Sequence, residues 1–119
     1  MTGPSFADRL QTTLSELTRA RDELARAAIT AAAVKFELDV KEATLQAAGV
    51  EGGNEAQRKA NLLLQCQEER AAALAAETGL KHAQRDFDIA EAVFSALKYE
   101  LRAQEMVVRG IELRAAAKG

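Results

Sequence analysis

Residues 80–111 read LKHAQRDFDIAEAVFSALKYELRAQEMVVRGI, and the spacing of their apolar side chains decides the fold. Leu80, Ala83, Phe87, Ala90, Phe94, Leu97, Leu101, Gln104, Val108 and Ile111 recur at alternating intervals of three and four, with Gln104 as the one polar interruption. That interval belongs to a helix that buries one stripe against another helix. The same phase runs backwards, more weakly, through Ala76, Ala73, Glu69, Cys66 and Leu62. A repeat near 3.5 residues predicts left-handed supercoiling and not globin-like packing.

The N-terminal half carries a matching pattern. Leu10, Leu17, Leu24, Ala31, Leu38 and Leu45 fall seven apart, and Leu14, Ala20, Ala28 and Val34 widen the stripe. Ser5, with Asp8 three residues on, opens this helix as an N-cap followed by acid in the first turn. Gly49 supplies a C-terminal stop, residues 50–53 make a short turn, and Asn54, with Gln57 three residues later, caps the next helix. The sequence therefore predicts one domain over residues 1–119: helix 1 over about 5–48, a turn over 49–53 with Gly49, Gly53 and Asn54 as turn and cap residues, and helix 2 over about 54–117. The fold class is all-α, an antiparallel helical hairpin or coiled coil with a longer second helix. Its hairpin core is Leu10, Leu17, Leu24, Leu38, Leu45, Leu62, Leu80 and Phe87. A break at Thr78 and Gly79 would give a three-helix bundle instead, but the stripe passes through Ala76, Leu80 and Ala83 without interruption, which favours one helix. Acid-first pairs four apart, among them Glu37 with Lys41 and Glu77 with Lys81, support the exposed faces.

The two helices differ in length, roughly 65 Å against roughly 95 Å at the α-helical rise. The unmatched segment, about 98–118, still carries Leu101, Val107, Val108, Ile111 and Leu113. An apolar stripe on an unpaired helix has nothing to bury against, so a second copy of the chain is expected there. Phe94, Leu97, Leu101, Val108 and Ile111 are the expected oligomer interface, in a dimeric helical bundle.

Composition agrees with long helices. The 119 residues are 48% hydrophobic, but much of that is alanine, aromatics are only 4%, and the one proline is Pro4. A net charge of −2 gives no overall attraction to nucleic acid or to anionic membrane. No apolar run approaches the roughly 20 residues of a membrane span, and the N-terminus lacks the pattern of a signal peptide. With a single cysteine, Cys66, these features predict a cytoplasmic protein. Cys66 lies on the inward phase and reads as a small buried hydrophobe.

Catalytic and metal-binding patterns are missing from the sequence. His82 with Asp86 would supply two metal ligands on one helical face, fewer than zinc needs. Gly52-Gly53-Asn54 before a helix lacks the Gly-Lys-Ser/Thr ending of a nucleotide loop, and no strand precedes it. No enzyme activity and no cofactor are expected. Charge is uneven, however: residues 98–119 carry a balance of +2 through Lys98, Arg102, Arg109, Arg114 and Lys118. Those five are the candidate nucleic-acid contacts. Cations also suit the last turns of a helix, and this end has no set of stacking aromatics, so nucleic acid is not the favoured partner.

The segment Gly53-Asn54-Glu55-Ala56-Gln57-Arg58-Lys59-Ala60, followed by a long Ala/Glu/Arg helix with Leu97-Lys98-Tyr99-Glu100-Leu101-Arg102, resembles small coiled-coil proteins of tailed bacteriophages and prophages that share a Gly-x-Asn-Glu-x-x-Arg-like turn. Asn54, Glu55 and Arg58 are the matching positions, and the resemblance covers roughly residues 47–113. It implies a phage setting in the bacterial host cytoplasm and a non-enzymatic accessory role in DNA replication or recombination, through contacts with itself and with a phage or host protein. The alternatives are an assembly or scaffold protein without a nucleic-acid role, and an inhibitor of a host protein.

Overall fold

The computed structural model describes residues 3–118. Among them three helices follow in order: α1 over Phe6–Ala48, α2 over Glu55–Gln65 and α3 over Gln67–Lys118. Ser5 caps α1 as its sequence suggests, its Oγ accepting from the Asp8 N–H at 3.1 Å and its carbonyl from the Arg9 N–H at 3.0 Å. The protein is all-α, and α1 and α3 pack antiparallel. Their contacts fall into two compact units: the chain up to Arg21 together with Asp86 onward, and Asp22–Arg85.

The second unit contains the turn. Gly49 and Gly52 have positive φ values of 90° and 154°, a region that a Cβ makes costly. At Gly52 the constraint is also steric, because a Cβ would lie 2.7 Å from the Arg58 backbone nitrogen. Asn54 closes the start of α2 as a reciprocal cap. Its Oδ1 accepts from the Gln57 N–H at 2.9 Å, and Gln57 Oε1 accepts from the Gly53 N–H at 2.7 Å. Asn61 Nδ2 donates to the Glu51 carbonyl at 2.6 Å, so the start of α2 holds the turn at both Gly53 and Glu51.

A single helix over 54–117 is not what the structure shows. The chain leaves α-helical geometry for one residue, Cys66, at φ −104° and ψ 15°, in the sparsely populated bridge region. Hydrogen bonds continue on either side, from the Cys66 N–H to Leu62 O at 3.1 Å and from the Arg70 N–H to Cys66 O at 2.9 Å. Helix α3 then runs unbroken through Gly79 and Gly110.

Inward positions follow the three-and-four interval in both long helices. In α3, Ala73, Ala76, Leu80, Ala83, Phe87, Ala90 and Phe94 are half-buried and Leu97 is buried. In α1 the leucines at 10, 17, 24, 38 and 45 are half-buried, while Thr13 and Ala20 are buried. Leu14 and Ala28 are exposed, and Thr13 and Ala27 take the inward places that the sequence reading gave to them. The reason is register: stepping three residues from Leu10 and Leu24 keeps the side chain on the seam, whereas stepping four from each rotates it outward. Only Ala20, Leu62, Cys66 and Leu97 are buried apolar residues among those described, because two helices cover each other on one side only.

Candidate interaction surface

Cross-helix ion pairs support the antiparallel alignment within the units, among them those of Arg9, Lys41 and Arg70. In the first unit the Arg9 guanidinium meets Glu100 with both nitrogens, Nη1 to Oε1 at 2.9 Å and Nη2 to Oε2 at 2.7 Å. The bidentate geometry raises the pKa of Arg9 and holds the Glu100 carboxyl below its ordinary range, in both cases chiefly through the hydrogen bonds. In the second unit Lys41 Nζ donates to Glu69 Oε1 at 2.6 Å, and Arg70 Nη2 to Glu42 Oε1 at 2.7 Å. Lys41 and Glu69 both occupy inward positions, making a polar layer in an otherwise apolar seam. The hydrogen bond pulls the Glu69 pKa down and the Lys41 pKa up. Glu69 Oε2 is buried with no hydrogen-bond partner. Lys41 therefore reaches across to α3, whereas Glu77 and Lys81 do approach along one helix, at 3.8 Å.

Around the turn, Gln46, Val50, Glu55, Arg58, Lys59 and Leu62 line an open depression of about 280 Å³. Arg58 Nη1 lies 3.4 Å from the Gly52 carbonyl. The positions that carry the phage-type resemblance thus have local structural work: Asn54 caps α2 and Arg58 leans over the turn.

The remaining feature belongs to the first unit. Pairing of α1 with α3 reaches Glu100, through Arg9, so the unmatched part of α3 begins about three residues later than expected. Of the five anticipated interface residues, Leu97 is 6% exposed and Phe94 is half-buried, so both lie within the packing of the chain itself. Beyond them Leu101, Val108 and Ile111 are 37%, 52% and 60% exposed, on the same stripe. Leu101, Gln104, Glu105, Val108, Arg109 and Glu112 line an open depression of about 400 Å³ along this seam. Met106, Val107 and Leu113 are exposed as well.

All five basic residues of this end are exposed, but the helix distributes them. Lys98, Arg102 and Arg109, spaced four and seven apart, share one side, with Glu105 among them; Arg114 and Lys118 project elsewhere. The Lys98 ammonium sits 5.2 Å from the centroid of the Phe94 ring, a cation–π contact within the chain. His82 is exposed. Among the described residues no group of three or more His, Cys, Asp or Glu side chains is placed to hold a metal ion, and no helix is long and apolar enough to cross a membrane. Cys66 is fully buried, a placement its inward phase anticipated. The sequence reading missed the cross-helix pairs and the polar Lys41–Glu69 layer, which require the register between helices and not the pattern within one. No protein-family model matches this chain, and no curated protein or solved structure matches it.

Proposed function

We propose that this chain is a non-enzymatic, homo-oligomeric coiled-coil protein of the phage accessory type, serving DNA replication or recombination by holding a helix of another protein. One observation carries the interaction reading: the seam of α3 continues through Leu101, Val108 and Ile111 after α1 has ended, and those side chains are left exposed. A helix laid along that seam would bury them at the interval the rest of α3 already uses. The phage setting and the DNA-related process rest on the Gly53–Arg58 turn and the helix that follows.

The test is capture from phage-infected cells, with the native chain and with Ile111→Asp as baits and with the mass of the recovered complex measured. The native chain is expected to retain a replication or recombination protein that Ile111→Asp loses. Recovery of virion structural proteins would replace this role with assembly, and equal recovery by both baits would remove the seam from it. Direct DNA contact is a separate outcome, visible as binding at low salt that weakens as salt rises.

A further inference from the structure

The side of α3 turned away from its α1 seam carries a second stripe at the same interval. Its larger members, Ile89, Tyr99, Met106 and Leu113, are 56%, 69%, 73% and 72% exposed. Ala92, Ala96, Ala103, Gly110 and Ala117 fill the places between them, giving steps of three and four from 89 to 117 without one charged residue. Packing inside the chain does not explain this face. A Cβ added at Gly110 would meet nothing within 4 Å, so the fold itself leaves room for a larger residue in the middle of a helix, where glycine is unfavourable.

We propose that this outer face is the self-association seam of the protein, joining two copies antiparallel about a two-fold axis beside Leu101. This deepens the function proposed above by separating its two surfaces: the outer face makes the homo-oligomer and leaves the inner seam at Leu101, Val108 and Ile111 for the heterologous helix. Shape selects the second copy and the direction. In a parallel, in-register pair Tyr99, Met106 and Leu113 would each meet themselves, and the bulky layers would hold the alanine and glycine layers apart. Antiparallel about residue 101, Tyr99 lies against Ala103 of the second copy, Met106 against Ala96, Leu113 against Ile89 and Gly110 against Ala92. Bulky and small residues then share the central layers. On the flank, Val93 meets Val107 of the second copy, covering two further side chains that are 48% and 62% exposed. Glu100 approaches its own counterpart near the axis, but each is already neutralised by a bidentate Arg9. The contact spans residues 89–113, about three and a half heptads, enough for a stable coiled-coil seam.

Sedimentation equilibrium and cysteine crosslinking test this together. The native chain is expected to be a dimer, and Met106→Glu to weaken its association at least tenfold without loss of helical circular dichroism, since residue 106 is exposed in the single chain. Ile111→Asp is expected to leave the dimer intact. Under oxidation Ala96→Cys with Met106→Cys in one chain should give crosslinked dimers, while Met106→Cys alone should not. Crosslinking by Met106→Cys alone would establish the parallel arrangement and overturn the proposal. A dimer lost in Ile111→Asp but kept in Met106→Glu would also overturn it, returning self-association to the inner seam and leaving the oligomeric reading in place. A native chain that stays monomeric at all concentrations would overturn both the seam and the homo-oligomer, with the captured partner then deciding what remains of the function.

Discussion

Gly52 and Lys41 show how much single side chains contribute to the hairpin. At Gly52 a positive φ coincides with a Cβ position 2.7 Å from backbone, so Gly52→Ala should destabilise the protein by about 1–3 kcal/mol, read as a lower midpoint in urea. Asn54→Ala removes the acceptor for the Gln57 N–H and should cost about 1 kcal/mol. The Lys41–Glu69 layer has a pH signature. Because the folded Glu69 pKa lies below its unfolded value, its contribution is present at neutral pH and disappears as pH falls through the folded pKa. Lys41, raised by the same contact, keeps its contribution below the ordinary lysine range and loses it only at more alkaline pH. Melting temperature should therefore fall on acidification, and Glu69→Gln should flatten that fall while lowering stability near neutrality. A Glu69→Gln profile parallel to that of the native chain would show that the layer does not govern the acid response.

Among the elements, α3 was the most legible in the sequence. Its period from Leu80 to Leu97 is strict enough to assign inward and outward positions without a partner, and the weaker continuation of that phase back through Glu69, and beyond α3 to Cys66 and Leu62, puts all three on the seam. The seam of α1 was harder to read. Its heptad leucines were plain, but the alternate positions are Thr13, Ala20, Ala27, Val34 and Lys41, too mixed to outrank a neighbouring Leu14. The interruption at Cys66 carried no signal, since neither proline nor glycine marks it, and the hydrogen bonds to Leu62 and from Arg70 persist around it. Gly79, where the unbroken stripe through Ala76, Leu80 and Ala83 favours a continuous helix over a break, lies inside α3 with open space where a Cβ would sit. Gly79→Ala should accordingly stabilise the protein by about 1 kcal/mol, seen as a raised thermal midpoint; destabilisation would mean that the position is needed for close approach by another helix.

At the scale of the whole molecule, the net charge of −2 conceals a basic C-terminal segment and an apolar surplus in the same stretch of α3. The chain is apolar enough for long helices but too rich in alanine to build a thick core, so most inward residues stay half-buried. Between residues 89 and 113 most of the exposed large apolar side chains of α3 fall on two stripes with one period, an arrangement that serves a helix with neighbours on more than one side. What the sequence could not disclose is which copy or partner supplies those neighbours, because that depends on the register between molecules. Hydrogen–deuterium exchange of residues 104–113, followed across protein concentration, tests the central claim that this part of α3 works in contact with other helices. The amides should gain protection as concentration rises and the seam fills, while those near the turn at Gly49–Asn54 stay constant. Rapid exchange of 104–113 at every concentration, with the rest of α3 protected, would contradict it.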